Sequence, residues 1–565
     1  MVKIYMSGRL DNEPELLRDL LVEKALLEAS EVTIAIIKAA WQKWGTRLPE
    51  YLLGDFALVI EDTNSGVTFL ARDPLGVKPF YYRIDSGKLT WGFSVPELKN
   101  KCPLEFTPSI EWMALYLLGM SKDNHLTAYN EVFKVPPGYS LTIDNQGDIQ
   151  KRRYHFWRDD APPATKREHR WVRDYQAVLE EAIRCRMVDT PMGTENSGGI
   201  DSATITAYLA HFLGCPGNQL HSFGFAMCEQ EPAFILETSQ ARGIVHNYIM
   251  TSRDQGDNSD EIIKRGLAAI GYPEEHGNGT GHTPFYEECQ LRGISTLFSG
   301  FGGDEVVTNP GHLLRYELID QGDYRALWDI MPGDPVRKTL RLGKAITIGR
   351  KSPAYRPTFL AAWNLRWPHQ LVNQAVVERL NLHHQYMETA RFDAPYRKIN
   401  DFILKFLIEA PYVSARFESC TLTAAAYGVD YRWPLWDVRL VQQYLSTPSI
   451  EKVGPNGVGR YLHRRAIDQV VPKRVAWKPS KDMGYGQLRQ KRESQGMTKL
   501  VTSAERHERY LHPALVSIID RTKFKKQIEQ AKNGKWDETF FFSFARSLSA
   551  ISWLNLWLYE GKMPD

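Results

Sequence analysis

The sequence is poor in net charge, in neighbouring cysteines and in long apolar runs. Its 70 Lys and Arg residues against 67 Asp and Glu leave +3 over 565 residues. That balance gives no electrostatic footprint for nucleic acid or an anionic membrane. The six cysteines (Cys102, Cys185, Cys215, Cys228, Cys289 and Cys420) never come close together. The spacing excludes a disulfide framework and a zinc pattern, and it suits a reducing cytoplasm. No apolar run reaches the roughly 20 residues that a membrane span needs. The opening "MVKIYMSGRLDNEPELL" lacks the apolar stretch of a signal peptide. Internal repeats and low-complexity tracts are absent too. What is there is a 43% hydrophobic composition, enough for large cores. The length points to two domains. A cytoplasmic enzyme without a membrane span or nucleic-acid partner is expected.

The first part reads as a layered, β-rich domain. "GDFALVIED" (54–62), "GVTFLARD" (66–73) and "KPFYYRID" (78–85) are strand-like runs, and Asn64-Ser65-Gly66 marks a hairpin. Two helices are predicted before them, in "EPELLRDLLVEKAL" and in "SEVTIAIIKAAWQKWG", the latter capped by Ser30. "WRDDAPPATKRE" (157–168), with Pro162-Pro163, is the best linker. Beyond it "WVRDYQAVLEEAIRCRM" reads as an amphipathic helix, and strand-loop-helix alternation follows, with "LHSFGFAM" (220–227) and "ISTLFSG" (294–300) as buried strands. Alternation of this kind predicts a parallel sheet with crossover helices. From about residue 305 the chain reads as mostly helical.

"TENSGGIDSATI" (194–205) holds the most informative run. Gly198 and Gly199 expose consecutive N–H groups in a tight turn. Ile205, Tyr208, Leu209 and Phe212 then recur at helical spacing. A glycine turn opening into a helix N-terminus binds anions, and Ser197 and Ser202 add hydroxyl donors. Asp201 would repel a bare phosphate but can hold a Mg²⁺ that neutralises one. Taken alone, the run equally suits a serine-capped turn. A second run, "STLFSGFGGDEVV" (295–307), again joins strand, glycine turn and acid, through Gly302 and Asp304. Both turns would lie at the carboxyl ends of parallel strands, where ligands bind.

SGGxDS followed about 100 residues later by SGxGGDE resembles the asparagine-synthetase-type ATP pyrophosphatases. "GVDYRWPLWDVRLVQQYLSTP" (428–448) is similar to that family's E-x-R-x-P segment, with Asp430 in place of Glu, and "GRYLHRRAIDQVVPKRVAWKPSKDMG" (459–484) to its basic ending. "GRLDNEPELL" and "GDFALVIEDTNSGVTFLARDPLGVKPFYY" resemble its glutaminase domain. The resemblance implies an α/β fold. Residues 1–157 would form a relic of an Ntn-hydrolase-type glutaminase domain, and 168–565 a parallel-sheet ATP-dependent ligase domain with a helical C-terminal part. It implies ATP and Mg²⁺, with an acyl-adenylate made from a carboxylate and then attacked by an amine. Ser197, Gly198, Gly199 and Ser202 would cradle the pyrophosphate, with Gly302 beside them. Asp201 and Asp304 would bind the metal, and Phe223 in "SFGF" would border the adenine or belong to the core. Lys481, or secondarily Lys478, would stabilise charge at the reacting centre.

Departures from the family pattern bear on the substrate. The glutaminase nucleophile is an N-terminal cysteine, but residue 2 is Val2 and Cys102 is the first cysteine. The early strands and the Arg-Gly-Pro-Asp stretch are expected to be missing as well. Two branches of the family dispense with the glutaminase, the β-lactam synthetases and the lasso-peptide cyclases. Where the former carry a tyrosine that helps deprotonate the amine, this chain has Phe301. A peptide α-amine, with a pKa near about 8, needs less help than an amide nitrogen. The reading is therefore a lasso-peptide cyclase that closes a macrolactam in a precursor peptide, beside a leader peptidase and a leader-binding protein. A small-molecule ligase of β-lactam or asparagine type is the alternative. A non-catalytic scaffold and a tRNA-modifying enzyme carry less weight. The stretch 336–356 has seven basic residues and no acid, a solvated face or a dock for an acidic partner. Arg416 and Glu418 suit either the cleft or a structural ion pair. Glu195 and Asn196 interrupt what should be an apolar strand, either loosening its end or entering the site.

Overall fold

The computed structural model describes residues 2–23, 28–102, 104–120, 123–163, 166–226, 230–250, 259–349, 366–389, 396–479 and 485–564. The N-terminal part is built from β1 (Val2–Leu10), β2 (Gly54–Asp62), β3 (Val67–Arg72), β4 (Tyr81–Asp85), β5 (Lys88–Gly92), β6 (Phe133–Lys134), β7 (Tyr139–Ile143) and β8 (Ile149–Arg153). One antiparallel sheet runs β1-β2-β3-β7-β8 and a smaller one β5-β4-β6. Alternation along β2 explains the layering. Phe56, Leu58 and Ile60 pack with Ile36 and Ile37 of helix Ala29–Trp44, while Ala57 and Val59 pack with Phe80 and Tyr82 toward the smaller sheet. The Asn64-Ser65-Gly66 turn joins β2 to β3, with Gly66 at φ +69 donating its N–H to Asp62 O at 2.9 Å.

Two expectations are corrected here. The domain does have an early strand: all nine residues of β1 pair with β2. Val2, Ile4 and Met6 face the core from alternate positions, a period-2 signal in "VKIYM" too short to stand out beside the helix that follows. Helix Ala29–Trp44 starts before Ser30, with Glu28 as its cap. The Glu28 N–H donates to Glu31 Oε2 at 3.3 Å, so a glutamate pair caps the helix instead of a serine.

The second part carries a parallel sheet of β9 (Met192–Glu195), β10 (Leu220–Phe225), β11 (His246–Met250), β12 (Thr296–Phe298) and β13 (Asp430–Arg432), in the order β11-β10-β9-β12-β13. Successive strands run outward from β9 to one side through β10, then return to its other side with β12. The strand order therefore reverses at the β9–β12 pair, which opens a crevice at the carboxyl ends of those two strands. Helices His169–Arg184 and Ile200–Leu213 pack on the sheet in one large core. The C-terminal helix Glu538–Leu558 packs in another core shared with Val95, Leu98 and Trp112 of the N-terminal part. No helix among the described residues is long and apolar enough to cross a membrane.

Buried ion pairs join the two parts. Arg72, fully buried, donates to Lys78 O, Val135 O and Gly76 O and pairs with Glu418 at 2.7 Å. Lys134 pairs with the other Glu418 oxygen at 2.9 Å. Burial alone would raise the Glu418 pKa, but Lys134 and Arg72 outweigh it and hold it below the usual carboxylate range. Glu418 is thus a structural ion pair. Asp430 belongs to the same seam, bound to Lys78 at 2.9 Å and Arg432 at 2.8 Å.

Candidate active site

β9 runs straight into Asn196-Ser197-Gly198-Gly199 and the helix Ile200–Leu213. Gly198 sits at φ +67, and a Cβ there would lie 2.6 Å from the Cβ of Phe234. Only glycine meets both demands. Asn196 is fully buried and braces the turn: its amide donates to Ile235 O at 3.2 Å and its Oδ1 accepts the Gly198 N–H at 3.1 Å. The Ser197 N–H donates to Ser202 Oγ at 3.0 Å, and the two serine hydroxyls lie 3.0 Å apart. Lys478 Nζ donates to Gly198 O at 3.3 Å and lies over the Phe234 ring. Gly198 O and Lys478 are therefore already joined at the loop.

The second turn interlocks with the first. A Cβ on Gly300 would lie 2.5 Å from the Ser202 nitrogen, and one on Gly303 would lie 2.3 Å from Asp201 Cγ. Bare α-carbons at these two positions let the SGFGGDE turn lie against the N-terminus of helix Ile200–Leu213. Gly302, at φ +107, donates its N–H to Glu305 Oε2 at 3.3 Å and faces the Trp436 indole. Its side of the turn is packed rather than open.

Asp201 accepts from Thr308 Oγ1 at 2.6 Å and from Arg460 at 3.3 Å. The same guanidinium pairs with Asp304. Arg460 thus spans the two aspartates, with its backbone at φ +60 capping helix Tyr461–Ile467. Two carboxylates beside glycine turns are the donor set Mg²⁺ uses when substrate phosphates complete its shell, so these residues fit such an ion. Among the described residues, the three-ligand cluster is elsewhere, at Asp11, Cys185 and Asp437. There Arg186 and Arg439 already neutralise the acids.

Glu195 ends β9 on the face opposite helix Ile200–Leu213. Ser299 Oγ donates to its Oε2 at 2.5 Å, and the Tyr431 hydroxyl donates to its Oε1. His282 Nδ1 lies 3.3 Å from the same Oε1 and 3.1 Å from the Tyr431 oxygen. Burial, and after it the Glu195 charge, pushes the Tyr431 phenol far above its ordinary pKa. Behind the helix, His463 is buried between Tyr175 OH and Thr204 Oγ1, each at 2.9 Å. Burial pushes it down to about 4, so the ring stays neutral.

A family model described as asparagine synthase matches residues 174–558, and one described as a glutamine amidotransferase domain matches 1–155. The chain belongs to the asparagine synthase family. A glutamine-hydrolyzing asparagine synthetase 1 of Bacillus subtilis is 28% identical over 488 residues, 84% of this chain and 74% of that one. An asparagine synthetase 3 of the same organism is 24% identical over 282 residues, 46% of this chain and 44% of that protein. The amidase chyE of Penicillium rubens is 26% identical over 308 residues, 51% of this chain and 44% of that one. The chain spans about half the length of most of these relatives. A solved allosteric regulatory enzyme of purine biosynthesis matches 44% of this chain with a TM-score of 0.20 at 12% identity, too slight to carry an argument.

Of the residues singled out in the sequence, Ser197, Gly198, Gly199, Asp201, Ser202 and Asp304 come together at the crevice, with Lys478 at its edge. Phe223 does not: its side chain is fully buried, stacked on Tyr248, and its carbonyl accepts the Asn196 N–H at 2.7 Å. Lys481 lies outside the described residues. Phe301 is buried with the Arg416 guanidinium 3.5 Å from its ring centre. Sequence reasoning missed Arg460, Thr308, His282 and Tyr431. Arg460 stood inside a quoted basic motif but gave no sign of facing two acids.

Proposed function

We propose that this protein is an ATP-dependent, AMP-forming amide ligase that joins a side-chain carboxylate of a peptide to the peptide's own N-terminal amine. One observation carries the ligase reading. Two glycine turns at adjacent carboxyl strand ends bring Asp201 and Asp304 to one guanidinium, beside a glycine loop that opens into a helix N-terminus. In the reaction, the substrate carboxylate attacks the α-phosphorus of ATP and releases pyrophosphate. The amine then attacks the acyl-adenylate and releases AMP. Ser197, Gly199 and Ser202 would orient the leaving pyrophosphate, and Lys478 or Lys481 would offset charge on the transferring group. Mg²⁺ held by Asp201 and Asp304 would offset charge on the phosphates.

Two features support the peptide rather than a small amine donor. The N-terminal part offers no glutaminase nucleophile within residues 1–155, where its one cysteine is Cys102, buried at the end of helix Val95–Lys101. Phe301, packed against Trp436 and under Arg416, has no hydroxyl with which to deprotonate an amide. Helix Pro335–Lys344 adds exposed Val336 and Leu340 beside Arg337 and Arg341, a face suited to an acidic, amphipathic partner such as a leader-processing protein. Incubation with ATP, Mg²⁺ and a leader-free core peptide tests the reading. AMP and a peptide lighter by one water are expected. ADP and inorganic phosphate would overturn it, and turnover of free aspartate with ammonia would move the substrate to the small-molecule class.

A further inference from the structure

We infer that Glu195 is the seat of the attacking amine: it binds the substrate's primary ammonium and takes its proton. The inference rests on the amide-ligase reading above and names a subsite within it. Its first ground is position. Glu195 is the last residue of β9, directly before the loop of Ser197 and Gly198, and its side chain is 14% exposed at the carboxyl edge of the sheet. Alternation settles its face. Thr194 points to Thr206 of helix Ile200–Leu213 at 3.0 Å, so Glu195 points the other way, toward β12 and β13.

The second ground is charge. Glu195 accepts from Ser299 and Tyr431, with His282 Nδ1 3.3 Å away, and among the described residues no Lys or Arg pairs with it. Other secluded carboxylates differ: Glu418 is held by Arg72 and Lys134, Asp437 by Arg186 and Arg439. A carboxylate with hydrogen bonds but no fixed cation is the complement of an ammonium ion. The third ground is coupling to the reacting loops. Ser299 Oγ, which donates to Glu195, also accepts the Phe301 N–H at 3.1 Å. The amine seat and the SGFGGDE turn are therefore built on one hydroxyl.

The step balances as follows. The ammonium gives one proton to the Glu195 carboxylate. The freed nitrogen lone pair attacks the acyl carbon, forming the C–N bond. The C–O bond to AMP breaks, and its electron pair leaves on the phosphate. The second nitrogen proton leaves with AMP or to water. Tyr431, Ser299 and His282 are positioning residues in this scheme.

The test separates the half-reactions in the full chain, using Glu195→Gln and a leader-free core peptide. Peptide-dependent ATP–pyrophosphate exchange should stay within about threefold of the parent, while amide formation falls about a hundredfold or more. Hydroxylamine, neutral near pH 7, should trap the adenylate as hydroxamate at the parent rate, because it needs no proton acceptor. Glu195→Asp, which keeps the charge, should recover at least about tenfold of the loss. Amide formation near the parent rate in Glu195→Gln would overturn the inference. So would exchange, hydroxamate and amide falling together, which would mark a structural role. Absence of exchange in the parent protein would instead refute the ligase reading itself, and the amine seat with it.

Discussion

Replacing Arg460 by Met removes one guanidinium from between two carboxylates and keeps the side-chain volume. Arg460 is 10% exposed, Asp201 15% and Asp304 40%. The Asp201 arm is sheltered, and a hydrogen bond to a buried charge contributes about 1.5–3 kcal/mol. The Asp304 arm is half in water and contributes at most about 1 kcal/mol. Residue 460 keeps its left-handed backbone in either case, so that cost cancels. The loss in metal-free buffer is therefore about 3 kcal/mol, a clear drop in the melting midpoint. With the guanidinium gone, Asp201 and Asp304 repel each other until a divalent cation binds. Saturating Mg²⁺, at about 100 times its Kd, should then return roughly 2.7 kcal/mol. The variant's midpoint should rise with MgCl₂ more steeply than the parent's. Equal midpoints without metal and equal responses to it would show that Arg460 does not neutralise the pair.

Gly303→Ala should cut ATP-dependent turnover by about a hundredfold or more, since its Cβ would lie 2.3 Å from Asp201 Cγ and displace the carboxylate proposed to hold Mg²⁺. Gly343→Ala, whose Cβ meets nothing within 4 Å, is the matched control and should leave turnover unchanged. His463, held neutral at about 4 against about 6.5 when unfolded, makes the unfolded chain bind the extra proton first. Its contribution, about 3 kcal/mol, is complete above pH 6.5 and is lost as the pH falls toward 4. His463→Gln should lower the midpoint at pH 7.5 yet flatten its decline between pH 6.5 and 4.

The legible parts of this molecule were those whose signals are local. β2 lies where "GDFALVIED" placed it, because alternation and a Gly-containing turn are written in consecutive residues. The helix after Gly199 follows from its apolar spacing and the glycine turn that opens it, with no side-chain cap. β1 was less legible, since the clear alternation in "VKIYM" spans only a few residues. Phe223 shows the converse: apolar residues in a strand read alike whether they line a ligand or fill a core.

By itself, the sequence determined the two glycine turns, their acids and the parallel-sheet class, because backbone freedom at glycine and helical periodicity act over a few residues. Only the tertiary structure decided what those acids meet. Arg460 is 259 residues from Asp201 in the chain. Tyr431 lies 236 residues beyond Glu195, and Arg72 lies 346 before Glu418. Such pairs follow from strand order and helix packing, which put distant carboxylates and cations in one low-dielectric space where each needs a partner. No spacing in the sequence encodes that choice. Glu195 in particular read either as a break in an apolar strand or as a site residue, and the fold sets its carboxylate against Ser299 and Tyr431.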